Sequence, residues 1–108
     1  MYAMIRQYAA SPDAVAEMVQ RVDEEFADRI PEQVGALLYA AVDTGEGTVM
    51  TITVFGDAEA AARAESTVAG VQGNLGERFG VRQTVVHRGE VVVSRATPAV
   101  IEPVRIPK

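Results

Sequence analysis

The sequence predicts one α+β domain with the element order β-α-β-β-α-β. Apolar residues recur at helical spacing in two stretches, over positions 15–30 and 61–79. Strand-like stretches rich in β-branched and aromatic residues precede, separate and follow these two stretches. The middle one contains a glycine-rich turn, which divides it into the two arms of a hairpin. A length of 108 residues fits a single domain.

The first strand is predicted at 2–9, with Arg6 and Gln7 on opposite faces. Ser11 then stands as a helix N-cap, followed by Pro12 at the first helical position. The first helix is predicted to run from there to Pro31, because its apolar positions repeat at intervals of three and four residues. They are Val15, Met18, Val19, Val22, Phe26 and Ile30.

The hairpin at 34–55 is the most informative stretch of the chain. Its arms are predicted at 34–42 and 48–55, and the turn between them has two glycines for positive φ and Asp43 to brace it. No charged residue lies inside either arm, so both faces of the sheet are expected to be covered. The helices of one short chain cover one face, and a second copy is the simplest cover for the other. We therefore expect a homodimer.

The second helix is predicted to begin at Asp57 as N-cap and to continue towards Phe79. Gly70, Gly73 and Gly76 interrupt it, and each costs about 1 kcal/mol relative to Ala inside a helix. We expect the helix to end near Gly73 or Gly76; the alternative is that the missing side chains leave room for a ligand.

The last core strand is predicted at 84–94, and Gly89 in its middle predicts either a bulge or a tight backbone approach. Beyond the domain at 1–95, residues 96–108 contain three prolines among apolar residues, which predicts an extended C-terminal arm. The arm is expected to cross onto the partner subunit.

The composition excludes several classes of function. Without cysteine and with one histidine, the chain is short of ligands for a protein-only zinc or iron site. A net charge of −5 disfavours nucleic acid and anionic membrane surfaces as partners. There is no N-terminal signal and no run of about 18 apolar residues, so a cytoplasmic location is expected.

The element order is the ferredoxin-like split β-α-β arrangement. Within that fold the chain resembles the dimeric α+β barrel superfamily, in particular proteins similar to antibiotic biosynthesis monooxygenases. The resemblance covers roughly residues 2–95 and rests on MIRQY at 4–8, Val34-Gly35, the hairpin LLYAAVDTGEGTVMTITVF and Asp57-Ala-Glu-Ala-Ala. It implies two sheets packed face to face and, in some members, oxidation of quinol-type substrates without metal or flavin.

The resemblance places chemistry in a pocket between sheet and helices, lined by Asn, Trp, His or Arg. This chain has no Trp, which departs from that pattern. His87 is the candidate proton acceptor, since an ordinary histidine titrates near neutral pH. Asn74 or Arg6 could stabilise an anion formed from a small aromatic substrate. Tyr39 and Arg88 are further candidates for substrate binding, and no cofactor is expected.

Three functions stay open at this point. The first is a cofactor-independent monooxygenase acting on a small aromatic or quinol-type substrate. The second is a non-catalytic dimeric barrel that binds a small ligand or a partner, as in a stress response. The third is haem binding and degradation, for which His87 is the one plausible axial ligand.

Overall fold

Four antiparallel strands form one sheet, and two helices lie against one of its faces. The computed structural model describes residues 1–26, 35–102 and 104. The sheet order is β2-β3-β1-β4, the ferredoxin-like arrangement predicted from the sequence. The elements are β1 (Tyr2–Ala9), α1 (Pro12–Arg21), a π-helical turn (Val22–Phe26), β2 (Leu38–Gly45), β3 (Thr48–Phe55), α2 (Ala58–Phe79), β4 (Arg82–Glu90) and a 3-10 turn (Pro98–Ile101).

Two strands have the bounds that the sequence predicts. β1 covers Tyr2–Ala9 and β3 covers Thr48–Phe55, and the two pair along their whole length. β2 begins at Leu38 rather than at position 34. The predicted end of the first helix at Pro31, the strand residue Val34 and the end of the arm beyond residue 104 lie outside the described residues.

The prediction that α2 ends near Gly73 or Gly76 is wrong. The helix continues to Phe79, and Gly80 closes it in the left-handed conformation, with its N–H donating to the Gly76 carbonyl. Gly70 and Gly73 have open space where a Cβ would stand. The apolar stripe on the packed side of the helix continues past them, so tertiary packing outweighs the low helix propensity of the glycines.

The bulge on β4 lies at Thr84, and not at Gly89 as predicted. Gly89 pairs regularly with Ala3, whereas the register against β1 shifts between Val85 and Gln83. Thr84 is the additional residue, and its hydroxyl donates to the Gln7 carbonyl at 3.2 Å. β4 also ends at Glu90 rather than Ser94, because its partner strand β1 begins at Tyr2, the residue opposite Glu90.

The core lies between the sheet and the helices in two hydrophobic clusters. Met4 and Phe55 form one cluster with two alanines of α2, and the other unites Val15, Met18, Val22 and Val49. Tyr39 packs against both clusters. We call this side of the sheet the helix-side face; residues of β1 with even numbers and of β3 with odd numbers point to it.

The other side of the sheet, which we call the open face, has no helix of the described residues against it. Its side chains are mostly apolar. Val42 and Val85 are exposed, and Ile5 and Ile52 are half-buried. The face consists of Ala3, Ile5 and Gln7 of β1, Leu38, Ala40 and Val42 of β2, Met50, Ile52 and Val54 of β3, and Val85 and His87 of β4.

The hairpin tip is fixed to the start of α1. Gly45, Glu46 and Gly47 all have positive φ, and the Asp43 carboxylate accepts from the Gly45 N–H at 2.9 Å, as the turn composition predicted. The Ala10 N–H donates to the Gly47 carbonyl at 2.8 Å. The tip therefore fixes the place where the chain leaves β1 for the helix.

Candidate functional site

A cavity of about 100 Å³ lies between the helix-side face and the two helices. Most of its wall is apolar and comes from both helices and the sheet. The apolar lining residues are Met18, Val19 and Val22 near α1, Ala41 and Val49 on the hairpin, Val68, Val71 and Leu75 on α2, and Val81. A concave, mainly apolar space with a few polar groups is the usual form of a small-molecule site.

The polar part of the lining comes mainly from the sheet. Arg6 and Tyr8 stand two residues apart on β1, so both point to the helix-side face. Thr51 is paired directly with Arg6, and Thr53 with Tyr39. Thr67, Gln72 and Gln83 complete the polar lining. Strand register thus gathers a guanidinium and several hydroxyls on one wall.

Arg6 is the one charged side chain among the lining residues that the structure describes. It is only 5% exposed. Its Nη2 donates to the Met4 sulfur at 3.4 Å, a weak acceptor. No carboxylate of residues 1–26, 35–102 and 104 forms an ion pair with it. Burial of an unpaired charge is costly, so Arg6 is an unusual residue for this position unless it serves a ligand.

Tyr39 contributes a hydroxyl that stays protonated at neutral pH. Burial raises the pKa of Tyr39 far above its ordinary value, the nearby Tyr8 raises it further, and the Arg6 charge opposes the shift. The phenol is therefore a hydrogen-bond donor in the cavity rather than a proton acceptor.

The bulge at Thr84 shapes the end of the cavity near Tyr8. With the register shifted, Gln83 rather than Thr84 stands opposite Tyr8 on the helix-side face. Gln72 of α2 donates to the Tyr8 hydroxyl at 2.9 Å and to the Gln83 side-chain oxygen at 2.7 Å. These contacts connect helix and sheet at that end.

The structure brings two of the sequence-predicted site residues together and leaves three apart. Arg6 and Tyr39 both line the cavity. His87 is exposed on the open face, opposite Ile5, and does not reach the cavity. Arg88 points to the helix-side face but lies outside the cavity, paired with Glu65 at 3.2 Å. Asn74 is exposed on α2 and accepts from Arg78 at 3.2 Å.

The sequence analysis missed several polar lining residues. Tyr8 could have been found from Arg6, because residues two apart on a strand share a face. Thr51 and Thr53 alternate with apolar residues on β3, which marks them as one face. Gln72 stands four residues after Val68 and one after Val71, within the buried stripe of α2. The position of Gln83 depends on the bulge, which no sequence signal indicated.

The described part of the chain contains no cluster of three or more histidine, cysteine or carboxylate side chains that could hold a metal ion. Among the same residues, no helix has the length and apolar character needed to cross a membrane.

Comparison with known proteins supports the architecture. No protein-family model matches the sequence, and no curated protein matches it. Among solved structures, a dimeric ferredoxin-like protein from an uncultured marine organism superposes with a TM-score of 0.72 at 8% identity, covering 90% of this chain and 100% of its own. HapK from Hahella chejuensis superposes with a TM-score of 0.67 at 13% identity, covering 90% of this chain and 98% of its own.

Protein Atu4242 from Agrobacterium tumefaciens gives a TM-score of 0.59 at 16% identity and covers 91% of this chain and 98% of its own. Identities this low carry information on architecture alone. The chain is similar to these proteins in its ferredoxin-like α+β fold.

Proposed function

We propose that the protein binds a small aromatic molecule in the cavity and oxidises it with molecular oxygen, as a cofactor-independent monooxygenase does. The observation that carries the proposal is the cavity itself, an apolar space closed at one wall by Arg6, Tyr39 and Thr51. Its volume of about 100 Å³ is of the order that holds a single small ring, since an engineered apolar cavity of about 150 Å³ binds benzene. Apolar walls also exclude water from a reactive anion.

The proposed reaction starts from the keto tautomer of a quinol-type phenol, in which the activated ring carbon bears two hydrogens. The substrate anion attacks O₂, and a C–O bond forms. The O–O bond then breaks, so that the ring CH₂ becomes a carbonyl. The second oxygen atom leaves as water with the two hydrogens. Oxygen is the oxidant, and the protein supplies a dry, oriented site with hydrogen-bond donors.

The direct test is turnover of a quinol-type substrate under ¹⁸O₂. We expect the rate to exceed that of buffer alone and one ¹⁸O atom to appear in the product by mass spectrometry. A chelator-treated sample controls for trace metals and should react at the same rate. An uncatalysed rate in the presence of the protein, with O₂ supplied, would reject the oxidation.

A second candidate is a barrel that binds the same kind of molecule without converting it. This is favoured by one observation: no described lining residue is a carboxylate or an imidazole, the commonest general bases. Ligand binding without turnover in the ¹⁸O₂ experiment would select this function. Haem degradation is disfavoured, because the only histidine of the sequence lies outside the cavity.

We further propose that the functional form is a homodimer in which two open faces pack together. The open face of one chain is apolar and without a covering element among the described residues. Contiguous apolar surface of this kind is typical of interaction sites. The similar marine protein is described as dimeric, which supports the same assembly here.

The C-terminal arm is proposed to lie on the partner subunit. Val100, Ile101 and Val104 of the arm are 53%, 83% and 97% exposed, which is unfavourable for apolar side chains in a single copy. Deletion of the residues after Thr97 should then weaken dimer affinity, measured by sedimentation at serial dilutions. An unchanged dissociation constant would show that the arm does not cross.

A further inference from the structure

Arg6 places a largely buried positive charge beside the cavity. Arg6 as a whole is 5% exposed, and its one side-chain hydrogen bond to the described residues goes to a thioether. Arginine is always charged near neutral pH and carries five N–H donors in a planar fork. Most of its donor capacity is therefore unused by the described part of the protein.

The unused donors face the cavity. No fully buried side-chain nitrogen or oxygen of the described residues lacks a hydrogen-bond partner. Guanidinium nitrogens of Arg6 without a protein acceptor must therefore have accessible surface, and the space beside them is the cavity that Arg6 lines. The arrangement is that of a prepared site for a planar oxyanion, which binds an arginine fork through two parallel hydrogen bonds.

The described lining of the cavity offers no ordinary proton acceptor. The described lining consists of apolar side chains, hydroxyls, two amides and the Arg6 guanidinium. It contains neither a carboxylate nor an imidazole. The described lining thus favours an anion but includes no ordinary base that could produce one from a neutral ligand.

We propose that the cavity selects small aromatic molecules that are already anions in neutral water, with their charged oxygens on the guanidinium of Arg6. Aromatic carboxylates and acidic enols belong to this class. The inference rests on the proposed function, because it defines the substrate class of that same cavity. For an acidic enol, the enolate that attacks O₂ forms before it binds, so the oxidation then needs no base from the protein.

The hydroxyls beside Arg6 fit the same ligand. The Tyr8 oxygen already accepts a hydrogen bond from Gln72, so its own proton is available to an acceptor in the cavity. Tyr39 keeps its proton because burial raises its pKa. Both phenols are therefore donors, and they reinforce the preference for a negatively charged oxygen.

Benzoate and benzamide test the inference, because they have nearly the same shape and differ in charge. Calorimetric titration at neutral pH should show benzoate binding about 10- to 100-fold more tightly than benzamide, the ratio expected from charge-assisted hydrogen bonds. Arg6→Met keeps the length of the side chain and should abolish the preference. Arg6→Lys keeps the positive charge but loses the planar guanidinium fork. It should therefore retain part of the preference for benzoate.

Arg63→Met is the matched control, since it removes one arginine from an exposed site on α2 outside the cavity. It should leave the benzoate-to-benzamide ratio unchanged. If Arg6→Met does not fold, as judged by circular dichroism, the wild-type ratio and its decrease in Arg6→Lys still decide the matter.

The outcomes separate this inference from the proposed function. Equal affinities for benzoate and benzamide in the wild type would overturn the anion preference and leave cavity binding intact. Arg6-dependent benzoate binding without any oxidation of a quinol would support the anion site and reject the monooxygenase. Absence of binding by both molecules would overturn the anion site, and the ¹⁸O₂ experiment alone would then decide the proposed function.

Discussion

Tyr39 belongs both to the core and to the cavity, since it contacts both hydrophobic clusters and lines the polar wall. Its pKa is raised in the folded protein from an ordinary value of 10.0, mainly by burial, with Tyr8 adding and Arg6 opposing. The folded state therefore holds the phenol proton more firmly than the unfolded state. Above pH 10 the unfolded chain loses this proton first, which favours unfolding.

This predicts a specific alkaline loss of stability. Between about pH 10 and pH 11, the free energy of unfolding of the wild type should fall more steeply than that of Tyr39→Phe, by up to about 1.4 kcal/mol per pH unit. Urea denaturation of both proteins across this range measures the difference. Parallel curves for the two proteins would mean that Tyr39 titrates alike in the folded and unfolded states.

The two helix starts give a second prediction at the scale of single residues. The Asp57 carboxylate accepts from the Ala60 N–H at 2.8 Å, whereas Ser11 makes no capping hydrogen bond with its side chain. Asp57→Ala should lower the free energy of unfolding by about 1 kcal/mol. Ser11→Ala is the control and should change the free energy of unfolding by only a few tenths of the change expected for Asp57→Ala. Equal losses in chemical denaturation would contradict the capping role of Asp57.

At the scale of elements, the hairpin tip depends on one close approach. A Cβ on Gly47 would overlap the Ala10 carbonyl oxygen, while a Cβ on Gly45 would meet nothing. Both glycines have positive φ, 79° and 89°, so alanine at either position has the same backbone penalty of about 1–2 kcal/mol.

Gly47→Ala should therefore destabilise the protein clearly more than Gly45→Ala, because only the former displaces the backbone that joins β1 to α1. Thermal and urea denaturation of the two variants give the comparison. Similar losses would show that the tip can move away from Ala10 at little cost.

The elements that the sequence predicted well are those with a strong local signal. β1 and β3 follow from their alternation and their clear boundaries, and the positive φ values at the turn follow from its glycines. The prediction from the glycines of α2 was wrong, because packing against the sheet, and not the low helix propensity of glycine, decides where the helix ends. The bulge at Thr84 was missed since it arises from the register between two distant strands, which Gly89 does not control.

The site was predictable only in part for a related reason. Arg6 and Tyr39 could be identified as candidates by residue type, but the face to which each strand parity points depends on which side the helices cover. His87 and Arg88 illustrate this, because adjacent residues on one strand must separate to opposite faces. The structure directs Arg6 inward and His87 to the open face.

At the scale of the whole molecule, the proposed dimer would form through the open face. Ile5, Ile52 and Ala40 stand side by side across its centre, in direct register on three strands. In a two-fold dimer each residue occurs twice in the interface, so a charge placed there is buried twice. Ile52→Asp should therefore convert the proposed dimer to monomer at micromolar concentration, as measured by light scattering after gel filtration.

Ala62→Asp introduces the same charge on an exposed position of α2 and should leave the assembly unchanged. A monomeric wild type would reject the dimer. A dimeric Ile52→Asp protein would place the interface on another surface.

The apolar open face also makes the stability of the folded protein depend on its concentration. In the proposed dimer, the free energy released by covering this face belongs to the folded pair and not to either chain alone. Mass action then makes the melting temperature rise with total concentration and fall on dilution. At low expression a larger fraction of the protein would be monomeric, and that fraction would lack the stabilisation that the covered face provides.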